Sequence, residues 1–233
     1  MRNFLVSIFF ISLFFSCKFE YKIEPSFNSY IDVNVPPDSI TLKIIRPYKK
    51  SIDSVMNEIL CFNELDMHKG NPESLLGNFV ADLCIQKTSG YNHIDFCLLN
   101  SGGLRSSLHV GNIKLGDIYK LMPFDNKMVI VKVFKEDILE IFKYIQNKGG
   151  DPISKLRIEI KNEEVINHNL NLKKDTFYVL TTDYLASGGD DMSFFIDKEV
   201  NNLNLMLRDL IIEHCNDKDS ITSSLDNRIF IHE

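Results

Sequence analysis

The sequence predicts an α+β domain, layered from mixed β-sheets with helices on their flanks. Two observations carry this. Apolar runs of strand length and amphipathic helical stretches follow one another without strict alternation. The composition is also that of a folded domain: 44% of the 233 residues are hydrophobic and 25% charged, enough to bury a sizeable core. Wholesale disorder and a multi-span membrane protein are thereby excluded. Lys and Arg total 26 against 32 Asp and Glu, a formal net charge of −6. An acidic chain with no basic cluster is a poor non-specific nucleic-acid binder.

The elements follow in order. One positive residue, Arg2, precedes an apolar run from Phe4 to Phe15, the pattern of an export signal over residues 1–16. The small Ser16 before Cys17 points to bacterial lipoprotein processing, with lipid on Cys17 holding a soluble body on a membrane, periplasmic or surface side. Residues 17–40 carry Pro25, Pro36 and Pro37 among Ser and Asn and read as a tether; residues 41–233 are the domain. Helical spacing of Ile52, Val55, Met56 and Ile59 predicts a helix over 49–60, and a broad apolar face predicts another from Pro72 to about Lys87. A strand is expected over 94–99, a short helix over 115–121, a strand over 127–134 and a helix over 136–146, stopped by Gly149 and Gly150. Strands over 156–160 and 176–182, a helix over 202–215 and a closing strand over 228–232 complete the reading. Of the Cys after Cys17 (Cys61, Cys84, Cys97, Cys215), none has CxxC spacing, so no zinc ribbon or redox pair is read.

Three loops share one grammar: an apolar element delivers a polar turn containing Gly or Pro, and binding residues favour such turns because rigid elements hold them. The first, N-S-G-G-L-R over residues 100–105, offers the Asn100 amide and the planar fork of Arg105, with Gly102 and Gly103 letting a ligand near the backbone. The second, M-P-F-D-N over 122–126, presents Phe124 after a proline, either as a stacking face or as a core side chain. The third, D-Y-L-A-S-G-G-D over 183–190, offers Tyr184 as a second stacking face and Asp190 as an acceptor for sugar hydroxyls or as a helix cap.

In order and wording these loops resemble the C-terminal, substrate-binding domain of the 5′-nucleotidase family, and E-S-L-L-G-N-F-V-A-D over 73–82 fits that family's opening helix. The resemblance spans about residues 40–233 and implies a layered mixed fold that holds a nucleoside. It implies a base sandwiched by Phe124 and Tyr184, polar contacts from Asn100, Arg105, Asn126 and Asp190, and a loop shaped by Gly102 and Gly103. The chain departs from the family's pattern in several places. An Arg before the opening helix is replaced by His68-Lys69. Lys155 stands where Gly is frequent, which is expected to obstruct or retune the pocket.

The family's metallophosphatase signatures are missing. The sequence holds no Asp-x-His near the start, no Gly-Asn-His turn and no Gly-His-x-His turn, and the six His are isolated in sequence. No catalytic residue and no metal or other cofactor are therefore expected in this chain; a divalent metal is expected only in a partner. The implied function is the nucleotide-recognition half of a split 5′-nucleotidase, inactive alone, with a separate metallophosphatase subunit hydrolysing the phosphate ester in nucleotide catabolism. The alternative is a non-catalytic nucleoside- or nucleotide-binding surface lipoprotein.

Overall fold

A computed structural model describes residues 38–232, Asn92 excepted. The export signal, Cys17 and residues 18–37 lie outside the described residues. Residues Lys43–Glu233 form one compact unit. Helix α1 spans Ser39–Met56. It begins ten residues before the expected helix and stops sooner. Asn57 ends it, its side-chain amide donating back to the Asp53 carbonyl at 2.6 Å. The chain then extends as strand β1 (Ile59–Asn63), so Ile59 belongs to a strand and not to the helix that its spacing suggests.

Helix α2 (Leu75–Lys87) opens at Ser74, whose hydroxyl accepts from the Gly77 amide. Strand β2 (Phe96–Leu98) follows, then β3 (Gly111–Lys114), α3 (Leu115–Leu121), β4 (Lys127–Phe134), α4 (Lys135–Asn147) and β5 (Ile153–Ser154). Strands β6 (Ile158–Lys161), β7 (Glu164–His168) and β8 (Thr176–Thr182) precede the one-turn helix α5 (Asp183–Ala186). Strand β9 (Glu199–Met206), helix α6 (Leu207–Asn216), β10 (Ser220–Ile221) and β11 (Ile229–Ile231) end the domain.

The expected helix over 202–215 is divided. Residues up to Met206 form an antiparallel strand on β4, with Asn201 opposite Ile130 and Asn202 opposite Val129. The helical face that stays buried begins only at Leu207, with Leu210, Ile211 and Cys215 its apolar part. The ladder with β4 satisfies backbone groups that an early helical turn would leave unpaired. The short or polar strands β3, β5, β7 and β10 have too few apolar positions to announce themselves.

Three sheets result, with orders β10-β1-β3, β11-β6-β7 and β5-β2-β8-β4-β9. The five-stranded sheet is buried on both faces, and residue alternation assigns the sides. Cys97, Leu99, Met128, Ile130 and Leu180 join the cluster with Phe79 and Leu83 of α2 and Leu207 and Ile211 of α6. Phe96, Leu98, Val129, Val131, Val133, Phe177 and Val179 join Ile138, Ile141 and Ile145 of α4. This is the layered mixed architecture that the sequence predicts.

Strand direction decides where the polar loops go. Strands β2 and β8 are parallel, so the chain leaves both at one end of the sheet. Strand β4 is antiparallel to β8, with Met128 opposite Thr182, so the chain enters β4 at that same end. Residues 100–105, 122–126 and 183–190 therefore meet.

Candidate functional site

The three loops enclose one cavity of about 330 Å³, within the size range of small-molecule sites. Asn100, Gly102, Gly103 and Arg105 line it from the first loop, Phe124 and Asn126 from the second, and Tyr184 and Asp190 from the third. All eight candidate residues read from the sequence are thus brought together.

In the first loop, the Asn100 side chain lies over its own turn. A Cβ added at Gly103 would stand 2.9 Å from Asn100 Oδ1, so the glycine makes room for the amide. The turn is pinned from beneath by buried Asp151, which accepts from the Ser101 amide at 2.8 Å and from the Tyr144 hydroxyl at 3.1 Å. Burial pushes the Asp151 carboxyl above the usual carboxylate range, with the nearby Asp190 charge adding to it while bonds from Ser101 and Tyr144 oppose the rise. The Arg105 backbone is fixed by its N–H to the Leu121 carbonyl at 2.8 Å. Its exposed guanidinium has one long bond, 3.4 Å to the Gly102 carbonyl, and no carboxylate partner among the described residues.

The second loop is held by Arg208 of α6, which sequence reading missed. This side chain is largely buried; it pairs with Asp125 and reaches the Met122 and Phe124 carbonyls, each at 3.4 Å. It also sits over the Tyr119 ring at 4.6 Å. With its backbone so held, Phe124 is 41% exposed, which rules out the core reading of this ring.

The third loop follows from β8. Asp183 Oδ1 accepts from the Lys127 and Tyr184 amides at 3.0 and 2.9 Å, tying this loop to the start of β4. Tyr184 is 49% exposed, and its ring lies against Gly189. A Cβ there would fall 2.5 Å from Tyr184 Cζ and 2.6 Å from the Tyr184 carbonyl oxygen. Asp190 adopts a left-handed φ of 54°, a conformation Asp tolerates better than most residues. It accepts from Lys148 Nζ at 3.1 Å, a bond that raises the Lys148 pKa against the opposing effect of burial. Asp190 does not act as a helix cap: it lies inside the Gly189–Asp191 turn, and the following turn, Ser193–Phe195, has Met192 at its N-cap and no side-chain cap bond.

Lys155 does not obstruct the pocket. It is exposed, is not among the lining residues, and reaches the Ile94 carbonyl at 3.4 Å. Its φ of 61° supplies the reason that glycine suits this position. Lys69 is also absent from the lining, so it does not replace the missing Arg in the cavity. The 73–82 stretch proves to be scaffolding. Glu73 accepts from the Asp226 and Arg228 amides, and Asp82 makes a two-pronged pair with Arg228 at 2.8 and 2.9 Å. The four described Cys are buried and free. Two of the His isolated in sequence, His68 and His109, stand together with Asp66 in the one group of metal-ligating type among the described residues.

Residues 54–197 match the family model described as 5′-nucleotidase, C-terminal domain. Among curated relatives, the chain is 24% identical over 178 residues to the trifunctional nucleotide phosphoesterase protein YfkN of Bacillus subtilis, covering 64% of this chain and 12% of that protein. It is 24% identical over 175 residues to a 5′-nucleotidase of Vibrio parahaemolyticus, covering 69% of this chain and 30% of that one. Among solved structures, a 5′-nucleotidase precursor from Thermus thermophilus superposes with a TM-score of 0.72 at 20% identity, over 84% of this chain and 44% of that one. The NAD nucleotidase of Haemophilus influenzae does so with 0.64 at 19%, over 83% and 41%. These likenesses show the fold; the chain spans less than half the length of each of these proteins.

Proposed function

From the premise that the chain belongs to the 5′-nucleotidase C-terminal domain family, and so to a nucleotide-related role, we propose that it is the nucleotide-recognition half of a split 5′-nucleotidase. One observation carries this reading: two half-exposed rings and the polar side chains of three loops line a single cavity. Phe124 and Tyr184 take the base between them, since aromatic faces stack on any base. Asn100, with both a donor and an acceptor, meets the base edge. Asp190 accepts from ribose hydroxyls, and Asn126 supplies a further polar contact. Arg105, without a competing carboxylate, takes the phosphate end through a charge-assisted, planar contact.

Hydrolysis is assigned to a separate metallophosphatase. In this reading the chain's task is to bind and orient, and no bond-breaking step is placed on its residues. Lipid on Cys17 would hold it at the membrane beside such a partner; membrane fractionation of Cys17→Ala tests that placement, and unchanged retention would reject it.

The test is a phosphate-release assay on AMP with divalent metal. The chain alone should release none, and a metallophosphatase encoded beside it should gain activity on its addition. Robust metal-dependent hydrolysis by the chain alone would sink the proposal. Tight binding of AMP with no stimulation of any such phosphatase would favour the non-catalytic binding lipoprotein.

A further inference from the structure

We propose that Asp66, His68 and His109 form a binding site for a divalent transition-metal ion of the zinc type, separate from the eight-residue cavity. Each of the three offers one ligand atom, and these atoms lie within 4.8 Å of one another.

The site follows from a small piece of sheet geometry. Met67 and Leu108 form an isolated antiparallel bridge, exchanging both backbone bonds at 2.8 and 3.0 Å. Their side chains are fully buried and anchor the two segments in the core. Residues on either side of a bridged pair point to the opposite face, and directly opposed neighbours outside the hydrogen-bonded pair bring their side chains closest. The outer face accordingly carries Asp66 opposite His109 and His68 opposite Ser107. Asp66 Oδ1 lies 3.1 Å from His109 Nδ1, and His68 Nδ1 lies 2.8 Å from Ser107 Oγ. The two imidazoles meet edge to face with centroids 5.6 Å apart.

The support behind the ligands is already in place. The Val110 amide donates to Asp66 Oδ1 at 3.0 Å. The buried Asn63 side chain donates to the Leu108 and His109 carbonyls, each at 3.1 Å, fixing the segment that carries His109. Such outer bonds orient metal ligands. Zinc at about 2.0–2.1 Å from each ligand atom needs roughly 3.3 Å between ligands in a tetrahedron. Closing to that spacing is within reach of χ1 and χ2 rotation of three exposed side chains on a fixed backbone. Two imidazole nitrogens and one carboxylate oxygen suit zinc, nickel or copper and disfavour magnesium and calcium, which seek all-oxygen shells. Three protein ligands leave a position open to water.

The experiment titrates the full chain with Zn²⁺ by calorimetry and with Co²⁺ by visible absorption. One ion per chain is expected, with magnesium and calcium failing to compete. Losing an outer-shell partner alone costs 10–100-fold in affinity, so His68→Ala and His109→Ala should each weaken zinc at least about tenfold. His93→Ala, an exposed His paired with Asp95 elsewhere, should leave the affinity unchanged. X-ray absorption of the zinc-loaded wild-type chain should show two imidazoles, a readout independent of how the variants fold. Failure of the wild type to take up zinc, full affinity in both His variants, or a zinc shell without imidazole would each overturn the proposal. Because neither His lines the nucleoside cavity, these outcomes leave the proposed function untouched.

Discussion

Gly189→Ala perturbs the Tyr184 ring and the turn that carries it. The new methyl would sit 2.5 Å from Tyr184 Cζ, 2.6 Å from Cε1 and 2.6 Å from the Tyr184 carbonyl oxygen. Carbon atoms settle at about 3.5–4.0 Å, so the ring must swing by an ångström or more, and the backbone of the turn must also shift to clear the Tyr184 carbonyl oxygen. The ring would leave the wall of the cavity, and the base would lose one of its two stacking faces. Stacking is worth about 1–3 kcal/mol per base, which corresponds to a loss of about 5- to 160-fold in adenosine affinity. Calorimetric titration with adenosine and with ribose 5-phosphate reads this directly. Adenosine should weaken by at least that much, and the base-less ligand should weaken less. Tyr184→Ala should give a loss of similar size, and the double variant should lose little more than either single one. Wild-type adenosine affinity in Gly189→Ala, or equal losses for both ligands, would refute the reasoning.

Three further outcomes are expected. Arg105→Ala should weaken AMP more than adenosine with an unchanged melting temperature, because its guanidinium makes one long bond within the protein; Arg105→Lys should restore part of the loss, since the planar fork is gone, and titration with both ligands checks it. Arg208→Ala should lower stability by about 1–3 kcal/mol in urea unfolding by freeing the Met122 and Phe124 carbonyls, and should weaken adenosine binding through Phe124. Asp95→Asn should destabilise the chain at neutral pH. Burial raises the Asp95 carboxyl, but bonds from Lys174, the Tyr178 amide and His93 outweigh it and hold the carboxyl below its usual value. A depressed folded pKa gives stability that is present above the unfolded value of about 3.9 and lost as pH falls through the folded one. The gap between wild type and variant in acid unfolding should therefore close below about pH 3.9.

The site was legible where its residues sit in contiguous loops. N-S-G-G-L-R, M-P-F-D-N and D-Y-L-A-S-G-G-D each carry their own turn chemistry, and strand direction alone then brings them to one end of the sheet. Arg208, Asp151 and Lys148 were not legible, because each supports a loop from a distant segment and none has a local pattern. The same holds for Asp66, His68 and His109, which meet only through the Met67–Leu108 bridge. In the fold, β4 and β8 were read to the residue because β-branched and aromatic residues make up most of each. The boundary between β9 and α6 was missed because Leu203 and Leu207 satisfy either period until the ladder with β4 decides. Helix α1 was shortened in the reading because Pro47 lies inside it, a residue that more often marks a boundary.

The most direct test of the account is a crystal structure of the chain with AMP. The adenine should lie between Phe124 and Tyr184, with Asp190 on the ribose hydroxyls and Arg105 at the phosphate. AMP bound elsewhere, or seated in this cavity with its base outside the two rings, would contradict it.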